Sequence, residues 1–246
     1  MRAVWATYSR ELRAFFFSPL AYVVLFFFLI INGVLFGAII SFLNDPRTPS
    51  GPPLAALFGG NFVFWILMPF LGPILTMRLL SEELKTGSVE VLMTAPVTEG
   101  QVVAGKYLAA FTFYLFLWFP TLAYVGIVSY WSRVDWGPVA AGYLGIAAIG
   151  ALFLSIGLFA SALSKNQLVA AIIAFAIEIL LVLLGVLQNL VSGDTAKQVL
   201  GYLTLWEHMD ELAKGIVDTR RLVFYGTTTL FFLFLTSRAL EDRKWR

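Results

Sequence analysis

The stretch Gly100-Gln-Val-Val-Ala-Gly-Lys-Tyr107 stands one residue short of G-x-x-x-x-G-K-[ST], the loop that cradles nucleotide phosphates. That chemistry requires a glycine-rich turn leaving a strand, free backbone N–H groups aimed at phosphate oxygens, and a Ser or Thr hydroxyl for magnesium. Here the last position is Tyr107, and Pro96-Val-Thr-Glu before the stretch does not read as a buried strand. Thr98 with Gln101 three residues later fits a helix capping box instead. The stretch therefore reads as helix, whose N–H groups are committed to its own carbonyls, and no nucleotide site is expected in this chain.

Two further residues could do chemistry. Glu178 stands near the middle of an apolar run, where a carboxylate costs about 2.5 to 3.5 kcal/mol on insertion scales. Its Leu, Ile, Val and Phe neighbours offset that, so the run still inserts. Such a residue faces a translocation path or seam, or it is a neutral acid hydrogen-bonded to a neighbouring span. His208 lies beside Asp210 and Glu211, but one imidazole with carboxylates crowded next to it is a poor metal ligand set. It reads as a surface histidine, and no metal site is expected.

The elements that position these residues follow from composition. The 246-residue chain is 59% hydrophobic and 13% charged, against about 25% charged in soluble domains, so most of its surface faces lipid. Net charge +2 leaves no footprint for nucleic acid, and the absence of cysteine excludes disulfides and thiolate metal sites. A bilayer core needs about 20 apolar helical residues. Six segments qualify, at residues 20–42, 58–80, 107–130, 139–163, 168–190 and 222–237. The first is too long for the apolar core of a cleaved signal and is read as a retained span. The expected fold is all-α and polytopic, a single transmembrane domain over residues 1–246. With the N-terminus inside, 11 of the 17 Lys and Arg residues fall on the cytoplasmic side, which places both termini there.

Four segments carry further patterns. Residues 1–18 place Trp5, Tyr8, Leu12 and Phe16 on one helical face with Arg10 and Arg13 turned away, as in a helix lying on the inner leaflet. The loop from Asn44 to Pro53 holds four prolines and reads as a turn-rich outer connector. Residues 81–96 are too polar to span. Glu82 and Glu83 would open a short helix, Gly87 would cap it, Ser88 would cap a second turn and Pro96 would end it. The result is an acidic cytoplasmic elbow, either a docking element or a merely solvated loop. Residues 194–221 place Tyr202, Leu205, Trp206, Met209, Leu212 and Ile216 at helical spacing, with Glu207, Asp210, Glu211 and Lys214 opposite, as in an amphipathic helix at the outer interface. Gly33 and Gly37 form a GxxxG on the first span, suited to a dimer seam or to packing within one chain.

Taken in order, these segments resemble the six-span permease subunits of ABC-2 exporters, in particular the branch associated with bacterial gliding motility and nitrous-oxide-reductase maturation. The resemblance runs through Glu11-Leu-Arg13, Ser18-Pro-Leu-Ala-Tyr22, Leu75-Thr-Met-Arg-Leu79, Ser81-Glu-Glu83 and Gly87-Ser-Val-Glu-Val-Leu92 with Pro96. It continues through Gly105-Lys106, Asp135-Trp-Gly-Pro138, Ser161-Ala-Leu-Ser-Lys-Asn-Gln167, His208, Gly215-Ile-Val-Asp218 and Arg238-Ala-Leu-Glu241. Ser88 departs from the threonine usual after Gly87. The resemblance implies a non-catalytic permease subunit in a bacterial plasma membrane, exporting a substrate or transmitting mechanical force. ATP and Mg2+ would be bound by a separate ATPase in two copies, docking on the elbow. It also implies a second permease half, in a homodimer or heterodimer, and an accessory extracytoplasmic protein as a further partner. Glu82, Glu83, Lys85, Glu90 and Lys106 become the coupling residues toward the ATPase. The alternative is a proton-coupled secondary carrier with Glu178 as its relay, although no internal repeat is visible.

Overall fold

In the computed structural model of the protein, residues 2–44, 56–59, 61–87, 97–190 and 201–244 are described. Among them the regular structure is helical, with no strand. Helix α1 covers Arg2–Phe16 and α2 Pro19–Leu43, with Ser18 at the N-cap and Pro19 at N1, where its missing N–H costs nothing. Helix α3 runs Phe62–Thr86; Asn61 caps it by accepting from the Phe64 N–H at 2.8 Å, and Gly87 ends it in the left-handed region at φ 73°. The third span is α4, Glu99–Trp118, continued through a 3₁₀ turn at Phe119–Thr121 into α5, Leu122–Trp131. Then come α6 (Trp136–Leu163), α7 (Gln167–Leu190), α8 (Leu205–Ala213) and α9 (Thr219–Lys244).

Among the described residues, six helical segments are long and apolar enough to cross a membrane, and each coincides with a segment expected from sequence. Three details differ. The second span does not stop at Leu80 but continues unbroken to Thr86, so Glu82 and Glu83 close α3 instead of opening a separate helix. Lipid-length arguments set only a minimum, and the helix continues until Gly87 turns it. The third span is broken by a 3₁₀ turn at Pro120, whose missing N–H interrupts the α ladder. The fourth span starts at Trp136, because Asp135 caps it by accepting from the Gly137 N–H at 3.0 Å.

Helix α6 is the centre of the bundle, packed by α3, α4, α7, α8 and α9. Its small residues permit this: a Cβ on Gly150 would overlap the Tyr114 ring of α4, whose hydroxyl donates to the Ile146 carbonyl at 2.9 Å. Helix α2 is peripheral. It stacks Phe36 on Tyr124 and sets Phe28 edge-on to Trp118, but Phe26, Phe27, Ile30 and Val34 face outward.

The outer amphipathic helix is a correction. Within 194–221, α8 occupies only Leu205–Ala213 and folds onto α6 and α7, with Leu205, His208, Met209 and Leu212 buried. Its apolar stripe is satisfied by protein and not by the leaflet, while Tyr202 and Ile216 remain exposed. His208 is accordingly not a surface residue. It falls on the i, i+3, i+4, i+7 stripe with Leu205, Met209 and Leu212, is fully buried, and meets the Tyr225 hydroxyl at 3.2 Å through Nδ1. Burial and the nearby Arg221 charge push the imidazole down to about 4. Arg221 itself is held by two bonds to Glu211, at 3.0 and 3.2 Å. The proline-rich connector after Asn44, the elbow residues 88–96 with Ser88, Glu90 and Pro96, and residues 194–200 lie outside the described residues.

Candidate functional site

The two residues that made Gly100–Tyr107 look like a phosphate loop have structural roles at one helix crossing. The stretch lies within the first nine residues of α4, entered through the Thr98 and Gln101 capping box, with the Thr98 N–H donating to Gln101 Oε1 at 3.3 Å. A Cβ on Gly105 would stand 2.7 Å from Thr7 Cβ and 2.9 Å from the Val4 carbonyl oxygen, so the missing side chain is where α1 lies on α4. The contact extends along both helices. Tyr8 donates to Thr112 Oγ1 at 3.3 Å, Phe15 stacks on Phe113, and Phe16 packs edge-on against Phe113 and Phe116.

The α1 face expected to lie on the inner leaflet packs in part on the protein. Tyr8, Leu12 and Phe16 do share an apolar face, but that face packs on the bundle, joined by the buried Phe15, while Trp5 is exposed. Arg10 does not turn away. Its Nη2 donates to Glu11 Oε1 at 2.7 Å and to Glu83 Oε1 at 2.9 Å.

One residue beyond Gly105, Lys106 is 1% exposed and uses all three of its donors. Nζ donates to Glu11 Oε1 at 2.9 Å, to Glu83 Oε1 at 2.8 Å and to the Leu79 carbonyl at 2.7 Å. These partners come from α1 and from the last turns of α3, so one ammonium ties α1, α3 and α4 together. Among the described residues, two cations, Arg10 and Lys106, face two carboxylates, Glu11 and Glu83, so their charges balance. Neutrality and full donor use let a buried lysine persist, since an uncompensated charge there would cost several kcal/mol. Burial alone would raise the Glu11 carboxyl, but Lys106 and Arg10 outweigh it and hold the group below the ordinary carboxylate value. The reverse balance raises Arg10, where Glu11 and Glu83 outweigh burial. A second tie joins the same helices: Arg78 of α3 donates to Ser18 Oγ at 3.2 Å and lies 5.2 Å from the centre of the Phe15 ring.

The five residues expected to face a partner thus divide. Glu83 and Lys106 are turned into the chain's own network, Glu82 and Lys85 are exposed on the last turn of α3, and Glu90 lies outside the described residues. Glu11 and Arg10 were not legible as site residues. Their partners are 95 and 73 positions away, and the only local signal is an Arg-Glu pair on an amphipathic helix.

The remaining candidates lie elsewhere. Glu178 is fully buried in α7, its carboxyl against Gly72 of α3. Gly33 lies beside the Tyr124 hydroxyl, where a Cβ would sit at 3.5 Å, which is packing within one chain; Gly37 is exposed with nothing within 4 Å.

The foot of α3 is tied to two other helices. The helix is continuous from the bundle core to Thr86, and at that foot it is fastened to α1 and α4 by buried charge-assisted bonds. The model of the ABC-2 family transporter protein family matches residues 51–206, a range that contains the foot of α3, Lys106 and Glu178. Among curated proteins, no match to the chain is found.

Proposed function

Since the chain belongs to the ABC-2 family of transporter proteins, we propose that it is the permease subunit of an ATP-driven exporter, powered by a separate ATPase at the foot of α3. The observation that carries this reading is the Lys106 network, which converts the last turn of α3 from a loop anchor into a rigid attachment. On this reading two ATPases bind ATP and Mg2+, and their closure draws two permease halves between two arrangements. Glu82 and Lys85 present the exposed charges that an ATPase surface would meet, together with Glu90 in the elbow. Glu83 and Lys106 then act within the chain, passing the displacement to α1 and α4. The Lys and Arg bias supports both termini on the cytoplasmic side, and the family resemblance supports a bacterial plasma membrane. Export of a substrate and transmission of mechanical work use the same attachment. The kinship to the gliding-motility and nitrous-oxide-reductase-maturation branch rests on the ordered motifs alone.

The test is retention of ATP hydrolysis by the chain solubilised from its own membranes in mild detergent. The expected result is copurifying ATPase activity that disappears in Glu82→Lys/Lys85→Glu while the chain stays folded. ATP turnover by the isolated chain, or full ATPase retention in the double reversal, would overturn the proposal.

A further inference from the structure

Glu178 marks a second place where the chain departs from what lipid tolerates. The side chain is fully buried in α7, and neither carboxyl oxygen has a hydrogen-bond partner among the described residues. It does not float in a cavity. A Cβ on Gly72 would lie 2.5 Å from Oε1, 2.8 Å from Oε2 and 2.9 Å from Cδ, so the carboxyl fills the notch that the glycine leaves in α3.

The notch lies between two prolines of the continuous helix α3. Pro69 and Pro73 are both inside α3, and Pro73 has no N–H to give to the Pro69 carbonyl one turn back. Residues 69, 72, 73 and 76 share one helical stripe. Thr76 turns its hydroxyl back to the Gly72 carbonyl at 2.6 Å, and its Oγ1 occupies the space left by Gly157 of α6. A buried carboxyl therefore packs against a helix turn in which one backbone donor is missing, in the middle of a span.

Among the described residues, a carboxylate in that position has no cation to answer it. On α3 the titratable groups are Arg78, Glu82, Glu83 and Lys85, the nearest six residues from Gly72 and thus about 9 Å along the axis. On α6 the nearest is Tyr143, fourteen residues from Gly157 or about 21 Å. The described part of α7 carries no other charge. The α8 end, whose titratable groups are Glu207, His208, Asp210 and Glu211, meets α7 through Thr204 and Trp206 near Gly185, seven residues and about 10 Å along the axis from Glu178. The close fit against Gly72 also leaves no room for a metal cation with its oxygen shell. What fits is a proton.

We propose that Glu178 is an exchangeable proton site at the Pro69–Pro73 turn of α3, holding its proton as a neutral carboxylic acid while α3 is seated on α7 and releasing it when α3 moves off. As a neutral acid it brings no net charge into the packed interior, so the notch needs no cation. Once the notch opens, water reaches the carboxyl and the ionised form is stabilised. The inference does not depend on an ATPase partner.

The experiment is labelling of the full chain in membrane vesicles with dicyclohexylcarbodiimide, a lipid-soluble reagent that attacks protonated carboxyls, read as adduct mass on the peptide carrying residue 178. Labelling is expected at Glu178, falling several-fold as pH is raised from 5 to 9 and absent in Glu178→Gln. Because the readout is on the wild-type chain, it does not depend on a variant folding. Absence of label at every pH, or labelling independent of pH, overturns the site. Gly72→Ala, which lifts α3 off the carboxyl, is expected to raise labelling by a water-soluble carbodiimide several-fold; an unchanged profile in that variant overturns the link to α3.

Discussion

Lys106 Nζ and Glu83 Oε1 meet at 2.8 Å across the crossing of α4 and α3, and the same glutamate oxygen accepts from Arg10 of α1 at 2.9 Å. The pair is what makes the foot of α3 a stiff element, because both residues are on helices and the ammonium is sealed from water. Removing one partner of such a site leaves a buried charge unanswered, whereas removing both does not.

Lys106→Met is therefore expected to cost about 3 to 5 kcal/mol of stability, seen as a lower thermal unfolding midpoint of the chain in detergent. Adding Glu83→Gln to Lys106→Met should recover part of that loss. If the double variant is as unstable as the sum of the two single ones, the residues are not coupled.

Gly105→Ala is expected to lower the same midpoint by displacing α1, since the new methyl would meet Thr7 and the Val4 carbonyl. Overpacking of this kind typically costs about 1 to 3 kcal/mol. Gly100→Ala should be tolerated, because the nearest atom, Ser237 Oγ, is 4.0 Å from its Cβ. Under the phosphate-loop reading both glycines would matter for nucleotide binding. Protease sensitivity of residues 1–16 reports which description holds.

Acidification should act through Glu11. Its carboxyl titrates lower in the fold than in the unfolded chain, so the unfolded state binds more protons as pH falls. The contribution is fully present above the ordinary carboxylate value and is lost as pH drops through the folded value. Thermal midpoints between pH 6 and pH 3 should decline less steeply in Glu11→Gln than in wild type, starting from a lower level.

His208 adds a separate window at higher pH. Its folded value of about 4 lies below the ordinary 6.5, so the neutral imidazole is the folded form and charging it opposes folding. Stability contributed by this burial is complete above pH 6.5 and is lost as pH falls from 6.5 toward 4, by about 2 to 3 kcal/mol. His208→Gln should flatten the curve in that interval, and a wild-type curve already flat there would contradict the burial.

The contrast between those two groups shows where sequence reasoning reached its limit. Six spans could be read from composition because the lipid requirement is local: each helix must satisfy its own backbone and present enough apolar length, whatever its neighbours do. For the same reason the capping box at Thr98, the stop at Gly87 and the cost of Glu178 were visible one segment at a time. Even the buried face of His208 was present in the spacing Leu205, His208, Met209, Leu212, but that spacing suits a lipid interface and a protein interface equally.

What covers each apolar face was decided only by packing. Whether α8 lies on the leaflet or on α6, and whether Arg10 faces water or Glu83, depends on contacts between segments tens of residues apart. The same holds for Lys106, which as a sequence symbol reads as a membrane-edge cation. It becomes a buried tie only because α1 returns to lie on Gly105 and brings Glu11 within 2.9 Å. The sequence by itself determined the number, length and polarity of the helices, because these follow from solvation of single segments. The tertiary structure alone decided which charges neutralise one another, because in a low-dielectric interior that is settled by ångström distances between chains of atoms that no local pattern records.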